Sequence, residues 1–235
     1  MEKSNIAVVE PKQIETKQNI AVQKKNPTIF YFIIKRLFDI IAGLTGTILL
    51  IPITAFLWGY KKITKQNDGP LFYEQLRIGK NGEEFRLYKY RTMCMNADEQ
   101  LQKYLDSNPE AKEEFRKYKK LKNDPRISKL GKFLRTASID EFPQFINVLM
   151  GNMSLVGPRP YLHREIEDMG DSYYNKIITC KPGITGYWQA HGRNRVYFND
   201  RLKMDSEYID KRSIRFDIKI IFKTIEKVLG KEGAF

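Results

Sequence analysis

Cysteine and histidine are nearly missing from this chain, two of each in 235 residues. Cys94 and Cys180 stand apart, with no CxxC pair and no histidine at ligand spacing. A disulfide framework and a zinc site are therefore excluded, and a reduced cytosolic setting is the simple inference. His191, alone before Gly192-Arg193-Asn194, reads as structural rather than catalytic. No nucleic-acid motif is present, and no small-residue cleavage site follows the apolar segment, which begins too far in for a signal peptide. Residues 1–28 are polar, rich in Lys and Gln and without apolar periodicity, and read as a mobile basic tail.

One long apolar run is present, LFDIIAGLTGTILLIPITAFLWGY from Leu37 to Tyr60, with Asp39 its only charge. At the helical rise it spans roughly 36 Å, against about 30 Å for a bilayer core. Basic residues stand at both ends (Lys35 and Arg36; Lys61, Lys62 and Lys65), whereas a simple span shows a one-sided basic bias. The apolar stretch also extends upstream to Ile29, and a helix from residue 29 to 62 would be about 51 Å long. Pro52 inside it removes a ladder hydrogen bond and predicts a kink. Two readings stay open on these residues: a helix that enters one leaflet and bends back, and a tilted, kinked single span. The net charge of +13 and pI near 9.5 suit an anionic partner such as lipid headgroups or phosphates.

After a turn at Asn67-Asp68-Gly69-Pro70, LFYEQLRI and EEFRLYKY flank Asn81-Gly82 and predict a β-hairpin. Charged segments from Ala97 to Lys122, broken at Asn108-Pro109, predict two exposed helices without evident chemistry. SKLGKFLR, Ser128 to Arg135, predicts a short helix. In TASIDEFPQFINVLMG, Pro143 fits a helix first turn, placing the start near Ile139–Glu141, with Phe142, Phe145, Ile146 and Leu149 as its apolar face and Gly151 as its end.

Asp140 and Glu141 then stand at a helix N-terminus. Ser138-x-x-Glu141 matches a capping box, a purely structural use of the pair. The functional alternative is that the helix field keeps Asp140 ionised and nucleophilic while Glu141 holds a divalent cation. The company favours chemistry: Lys89, Arg91 and Arg135 precede the pair, and Arg159 follows, fixed between Pro158 and Pro160 as a fork for phosphate. Lys181–Gly186 reads as a turn-rich loop shaping the site. From Ile214 to Leu229, Arg215, Lys219, Lys223 and Lys227 oppose Ile218, Ile221, Phe222, Ile225 and Val228, which suits a helix lying on an anionic bilayer or one packed on the core.

KRLFDIIAG, GKNGEEFRLYKYRTM, DPRISKLGKFLRTASIDEFPQFINVLMGNMSLVGPRP and KPGITGYWQAHGRN together resemble the bacterial sugar transferases, the monotopic phosphoglycosyl transferases, over Ile33 to about Leu229. The resemblance implies an α/β fold, mostly helical with a small hairpin, a kinked re-entrant helix over 29–62 bent at Pro52, and a catalytic domain over 63–235 on the cytosolic side of the bacterial inner membrane. It implies magnesium-dependent transfer of a hexose 1-phosphate from a UDP-sugar to undecaprenyl phosphate in the cytoplasmic leaflet, releasing UMP. Asp140 is then the nucleophile, which carries the phosphosugar covalently, and Glu141 the metal-associated acid. Arg135 and Arg159 match phosphate-binding arginines, and Lys89, Arg91 and Arg193 further basic site positions. The WQAHGRN segment is closest to members that begin capsule or exopolysaccharide repeats with galactose or glucose.

Around Lys211–Phe216 the family's tryptophans give way to basic residues and phenylalanine, which puts aromatic interfacial anchoring in doubt. Extra N-terminal spans of larger members are not seen, so the chain reads as a catalytic unit with a short tail, and a homo-oligomer stays open. Two other classes compete: a membrane-tethered nucleic-acid binder, resting on charge and tyrosines alone, and a single-span scaffold for a partner protein. Nucleic acid is not expected as a partner.

Overall fold

The computed structural model describes residues 27–65, 69–119, 121–191 and 196–230. The tail expected over 1–28 lies almost wholly outside the described residues, as does Arg193.

The apolar run lies in one helix, α1 (Ile29–Thr64), capped by the Thr28 hydroxyl and ended by Lys65 in the left-handed region. Helical geometry continues through Pro52, whose missing amide leaves a carbonyl one turn earlier without its ladder partner. The hairpin follows as β1 (Phe72–Ile78) and β2 (Glu84–Tyr90), antiparallel with Tyr73 opposite Lys89, closed by a 3-10 turn in which Asn81 takes φ 59°. Next come α2 (Ala97–Ser107) and α3 (Pro109–Tyr118), then α4 (Lys129–Thr136), a 3-10 turn (Ile139–Glu141) and α5 (Gln144–Met150). The rest comprises β3 (Ser154–Val156), α6 (His163–Ile166), α7 (Asp171–Ile177), β4 (Gly183–Thr185), α8 (Tyr187–His191), α9 (Phe198–Lys211) and α10 (Ile214–Leu229), with β3 and β4 paired in parallel. Over the described residues the fold is thus mostly helical, with the small hairpin expected and a second small sheet that was not. Lys181–Gly186 is more than a loop, since it contains β4.

One stripe of α1 is docked on the rest of the protein: Tyr31, Asp39, Gly43, Gly46, Leu50 and Leu57 are buried. Arg36 donates to the carbonyls of Val148 (2.8 Å) and Leu149 (2.9 Å) in the last turn of α5. Asp39 accepts from the Leu155 amide (2.8 Å) and the Ser154 hydroxyl (3.0 Å), so the single charge in the apolar run faces inward with partners. Two glycines let α1 and α5 touch: a Cβ on Gly43 would sit 2.9 Å from the Leu149 amide nitrogen, and one on Gly46 would enter the Phe145 ring. The opposite side of α1 is exposed and apolar, including Phe30, Ile33, Phe38, Ile41, Ile48 and Phe56.

α10 divides the same way. Asp217 and Ile220 are buried, and Asp217 accepts from Lys35 of α1 (2.8 Å), whereas Ile218, Phe222 and Ile225 are exposed at helical spacing. Of its apolar residues, Ile220 and the half-buried Ile221 pack on the core, as one of the two readings expects, while Ile218 and Phe222 are exposed. The main core gathers Val156, Tyr161, Phe198, Leu202, Tyr208 and Ile220. A separate small cluster holds α2 to α3 through Leu101, Leu105, Ala111 and Leu121.

Candidate active site

The acidic pair is placed by its neighbours. Ile139 and Phe142, which bracket it, pack against a cluster formed by Leu50 and Leu57 of α1, Tyr90 of β2, and Leu130 and Leu134 of α4. With both flanking side chains drawn into that cluster, Asp140 and Glu141 turn to the wall of a cavity of about 1160 Å³. The capping box does not form. Ser138 ends α4 instead, its amide donating to the Arg135 carbonyl (3.1 Å), and it sits at φ 56° rather than in the extended conformation a cap needs. α5 starts after Pro143, so the pair occupies a separate 3-10 turn, not a helix N-terminus.

That changes the electrostatics expected from the sequence. Asp140 is 9 % exposed, and burial, reinforced by Glu141, pushes its carboxyl up to about 6, while Lys89 and Arg135 pull it back. Those two side chains, rather than a helix N-terminus, supply the main opposition to the upward shift. Lys89 lies 2.9 Å from Glu141. Its strand is held by an amide acting as a surrogate strand: Asn147 of α5, fully buried, accepts from the Tyr88 amide (3.0 Å) and donates to the Arg86 carbonyl (2.7 Å). Arg135 is oriented by its Nε donating to the Thr92 hydroxyl (3.0 Å).

Arg91 and Arg159 line the same cavity. Arg91 donates to the Pro70 carbonyl (2.9 Å) and lies over the Tyr73 ring. Arg159 follows β3, where Gly157 and Gly183 interlock so closely that a Cβ on Gly183 would stand 2.1 Å from the Gly157 nitrogen. The structure thus brings together Asp140, Glu141, Lys89, Arg91, Arg135 and Arg159; Arg193 lies outside the described residues and His191 is exposed at the end of α8.

Sequence reasoning missed Arg77. It is buried, bonded to the Pro160 carbonyl (2.9 Å) and the Gln75 side chain (2.6 Å), and burial, with Arg159 nearby, lowers it to about 9. The signal was available: Tyr73, Gln75 and Arg77 alternate onto one face of β1, which lines the cavity, while Phe72 and Leu76 are exposed. Trp188, with Arg159 and Arg201 over its ring, was missed as well.

The cavity is two-sided. Its charged wall continues into an apolar one made by Ala42 and Leu49 of α1 and by Ile221, Ile225 and Val228 of α10. Among the described residues no group of three or more His, Cys, Asp or Glu side chains could cage a metal. Two adjacent carboxylates do fit magnesium, which takes one or two acids and completes its octahedron with substrate phosphates and water. In chemical terms the arrangement offers an ionisable nucleophile, a second acid, and cations for phosphates, beside a surface for a hydrocarbon chain.

A family model described as bacterial sugar transferase matches residues 30–231. The chain belongs to that family. It is 44% identical over 204 residues to the undecaprenyl-phosphate galactose phosphotransferase of Salmonella typhimurium, covering 86% of this chain and 42% of that protein. It is 43% identical over 205 residues to an uncharacterized sugar transferase of Haemophilus influenzae, with the same coverage. The exopolysaccharide production protein ExoY of Sinorhizobium fredii is 40% identical over 201 residues, covering 86% of this chain and 88% of that protein. This sugar transferase chain therefore spans about two fifths of the length of the first two relatives and most of the third. The family membership and the long apolar helix together indicate association with a membrane.

Proposed function

We propose that the chain transfers a hexose 1-phosphate, galactose or glucose, from a UDP-sugar to undecaprenyl phosphate in the cytoplasmic leaflet of the bacterial inner membrane, as the first membrane step of capsule or exopolysaccharide assembly. A carboxylate oxygen of Asp140 attacks the sugar-bearing phosphorus. The bond from that phosphorus to the bridging oxygen breaks, and UMP leaves with the electron pair. An oxygen of the lipid phosphate then attacks the same phosphorus and expels the Asp140 carboxylate unchanged, so no net proton is needed. Two displacements let the soluble nucleotide depart before the lipid phosphate takes its place.

Lys89, Arg91, Arg135 and Arg159 supply fixed positive charge to phosphates in the cavity. Glu141 would hold magnesium, which when bound would offset diphosphate charge that would otherwise repel the attacking Asp140 carboxylate. The observation that carries the reading is the shared cavity, with the buried carboxylate and cations on one wall and the apolar residues of α1 and α10 on the other. The relatives named for undecaprenyl-phosphate galactose transfer and exopolysaccharide production support it.

The docked stripe of α1 favours the re-entrant arrangement over a span. Polar bonds and buried positions tie one stripe of α1 to the rest of the protein from Tyr31 to Leu57, which supports a helix held in one leaflet beside that domain. The bare sides of α1 and α10 would sit in one leaflet, with the catalytic domain in the cytosol. The test is a panel of UDP-sugars with undecaprenyl phosphate and magnesium, scoring UMP release, with intact-mass analysis of an acid-quenched reaction. A mass increase of one hexose phosphate on Asp140 is expected. Normal turnover by folded Asp140→Ala protein would refute the assignment.

A further inference from the structure

Asp205 belongs to no motif in the sequence, yet it is the only fully buried acid among the described residues. It lies in α9, and one of its oxygens accepts from both the Arg159 amide (3.1 Å) and the Tyr161 hydroxyl (2.7 Å). The segment it grips has little freedom left. Pro158 and Pro160 have no amide hydrogen, so Arg159 carries the one donor between them. The Pro158 carbonyl accepts from the Gly183 amide (2.8 Å), the Pro160 carbonyl from Arg77 (2.9 Å), and the Tyr161 carbonyl from the Ile78 amide (3.0 Å). Four backbone groups of the segment thus have named partners, and Asp205 supplies the bond at the arginine itself. The Arg159 guanidinium lies 5.8 Å from the centre of the Trp188 ring, Arg201 covers that ring at 5.0 Å, and the Arg159 Nε is buried without a partner.

We infer that Asp205 is a positioning residue for the reaction: by holding the Arg159 amide and the Tyr161 hydroxyl on one oxygen, it aims the Arg159 guanidinium at a phosphate of the bound nucleotide. The inference rests on the functional reading above. An unpaired acid in this place would be costly, and burial pushes Asp205 up to about 7, with the Tyr161 hydroxyl, the Arg159 amide and the charges of Arg159 and Arg201 opposing. A neutral group of the same shape is therefore tolerated. Asp205→Asn can present its carbonyl oxygen to both donors, whereas Asp205→Ala leaves both unpaired.

The measurement is the affinity for UDP in magnesium buffer, by calorimetry, on wild type, Asp205→Asn, Asp205→Ala, Arg159→Ala and the double alanine variant, with thermal melts on each. Asp205→Ala should weaken UDP binding about tenfold, and less than about twofold once Arg159 is already alanine, the signature of a residue acting through another. Asp205→Asn should stay within about twofold of wild type. Should Asp205→Ala not fold, Asp205→Ser replaces it, its hydroxyl too short to bridge both donors. Equal losses in both backgrounds, or no loss on Asp205→Ala, would overturn the role. A wild type that neither binds UDP nor releases UMP from any UDP-sugar would instead refute the donor assignment.

Discussion

Two of the segments that bring charge to the cavity are held by opposite means. The turn carrying Asp140 and Glu141 is fixed by grease: Ile139 and Phe142 sink into a cluster to which α1 contributes Leu50 and Leu57. The segment carrying Arg159 is fixed by hydrogen bonds from β1, β4 and α9. The first arrangement ties the acidic pair to the long apolar helix, and the second ties Arg159 to the main core. The position of the pair should thus respond to packing, and that of the arginine to single polar partners.

The sharpest break in that comparison is chemical. Asp140→Ala should lower UMP release by at least about a thousandfold without lowering the melting temperature. Stability should in fact show the reverse of a paired carboxylate. The folded pKa is raised, so the folded state holds its proton more tightly, and stability falls as pH rises through about 6. Asp140→Asn should therefore raise the melting temperature more at pH 7 than at pH 4; an equal gain at both would contradict the burial account.

Next in size is the packing arm. Leu134 is fully buried in the cluster under the acidic turn, and Leu134→Ala should cost about 2–5 kcal/mol in chemical denaturation and reduce UMP release beyond what the loss of folded protein explains. Full specific activity of the folded fraction would separate the turn from its cluster. A smaller effect sharpens the electrostatics. Lys89 lowers the Asp140 pKa, so Lys89→Met should move the acid limb of the pH–rate profile for UMP release to higher pH, with about a tenfold loss at neutral pH. An unmoved limb would exclude Asp140 as the group titrating there. Least of all, Phe222→Ser on the exposed face of α10 should leave the melting temperature unchanged and weaken vesicle binding about two- to fivefold.

What the sequence disclosed was mainly local. The hairpin followed from alternation around Asn81-Gly82, the break at Asn108-Pro109 from proline, and the close of α5 from Gly151, each decided within a few residues. The acidic pair was legible as a candidate because cations crowd it along the chain. The capping box was misread because the same four residues also had to end α4, and burial of Ile139 and Phe142 outweighed a single side-chain cap. Asn147, Arg77 and Asp205 were invisible for another reason. Each satisfies backbone groups tens of residues away, and neither periodicity nor spacing encodes such a bond.

The stripe along which α1 is welded to the body has one more consequence. On the proposed function the anchor is not a leash, since residues of that same helix form part of the cavity's wall. Swapping it for an unrelated hydrophobic segment would then remove more than an anchor, because it would leave the cavity open on one side. Immersion depth and site geometry would be fixed together, and a thicker or thinner bilayer should tilt the whole unit rather than stretch a tether.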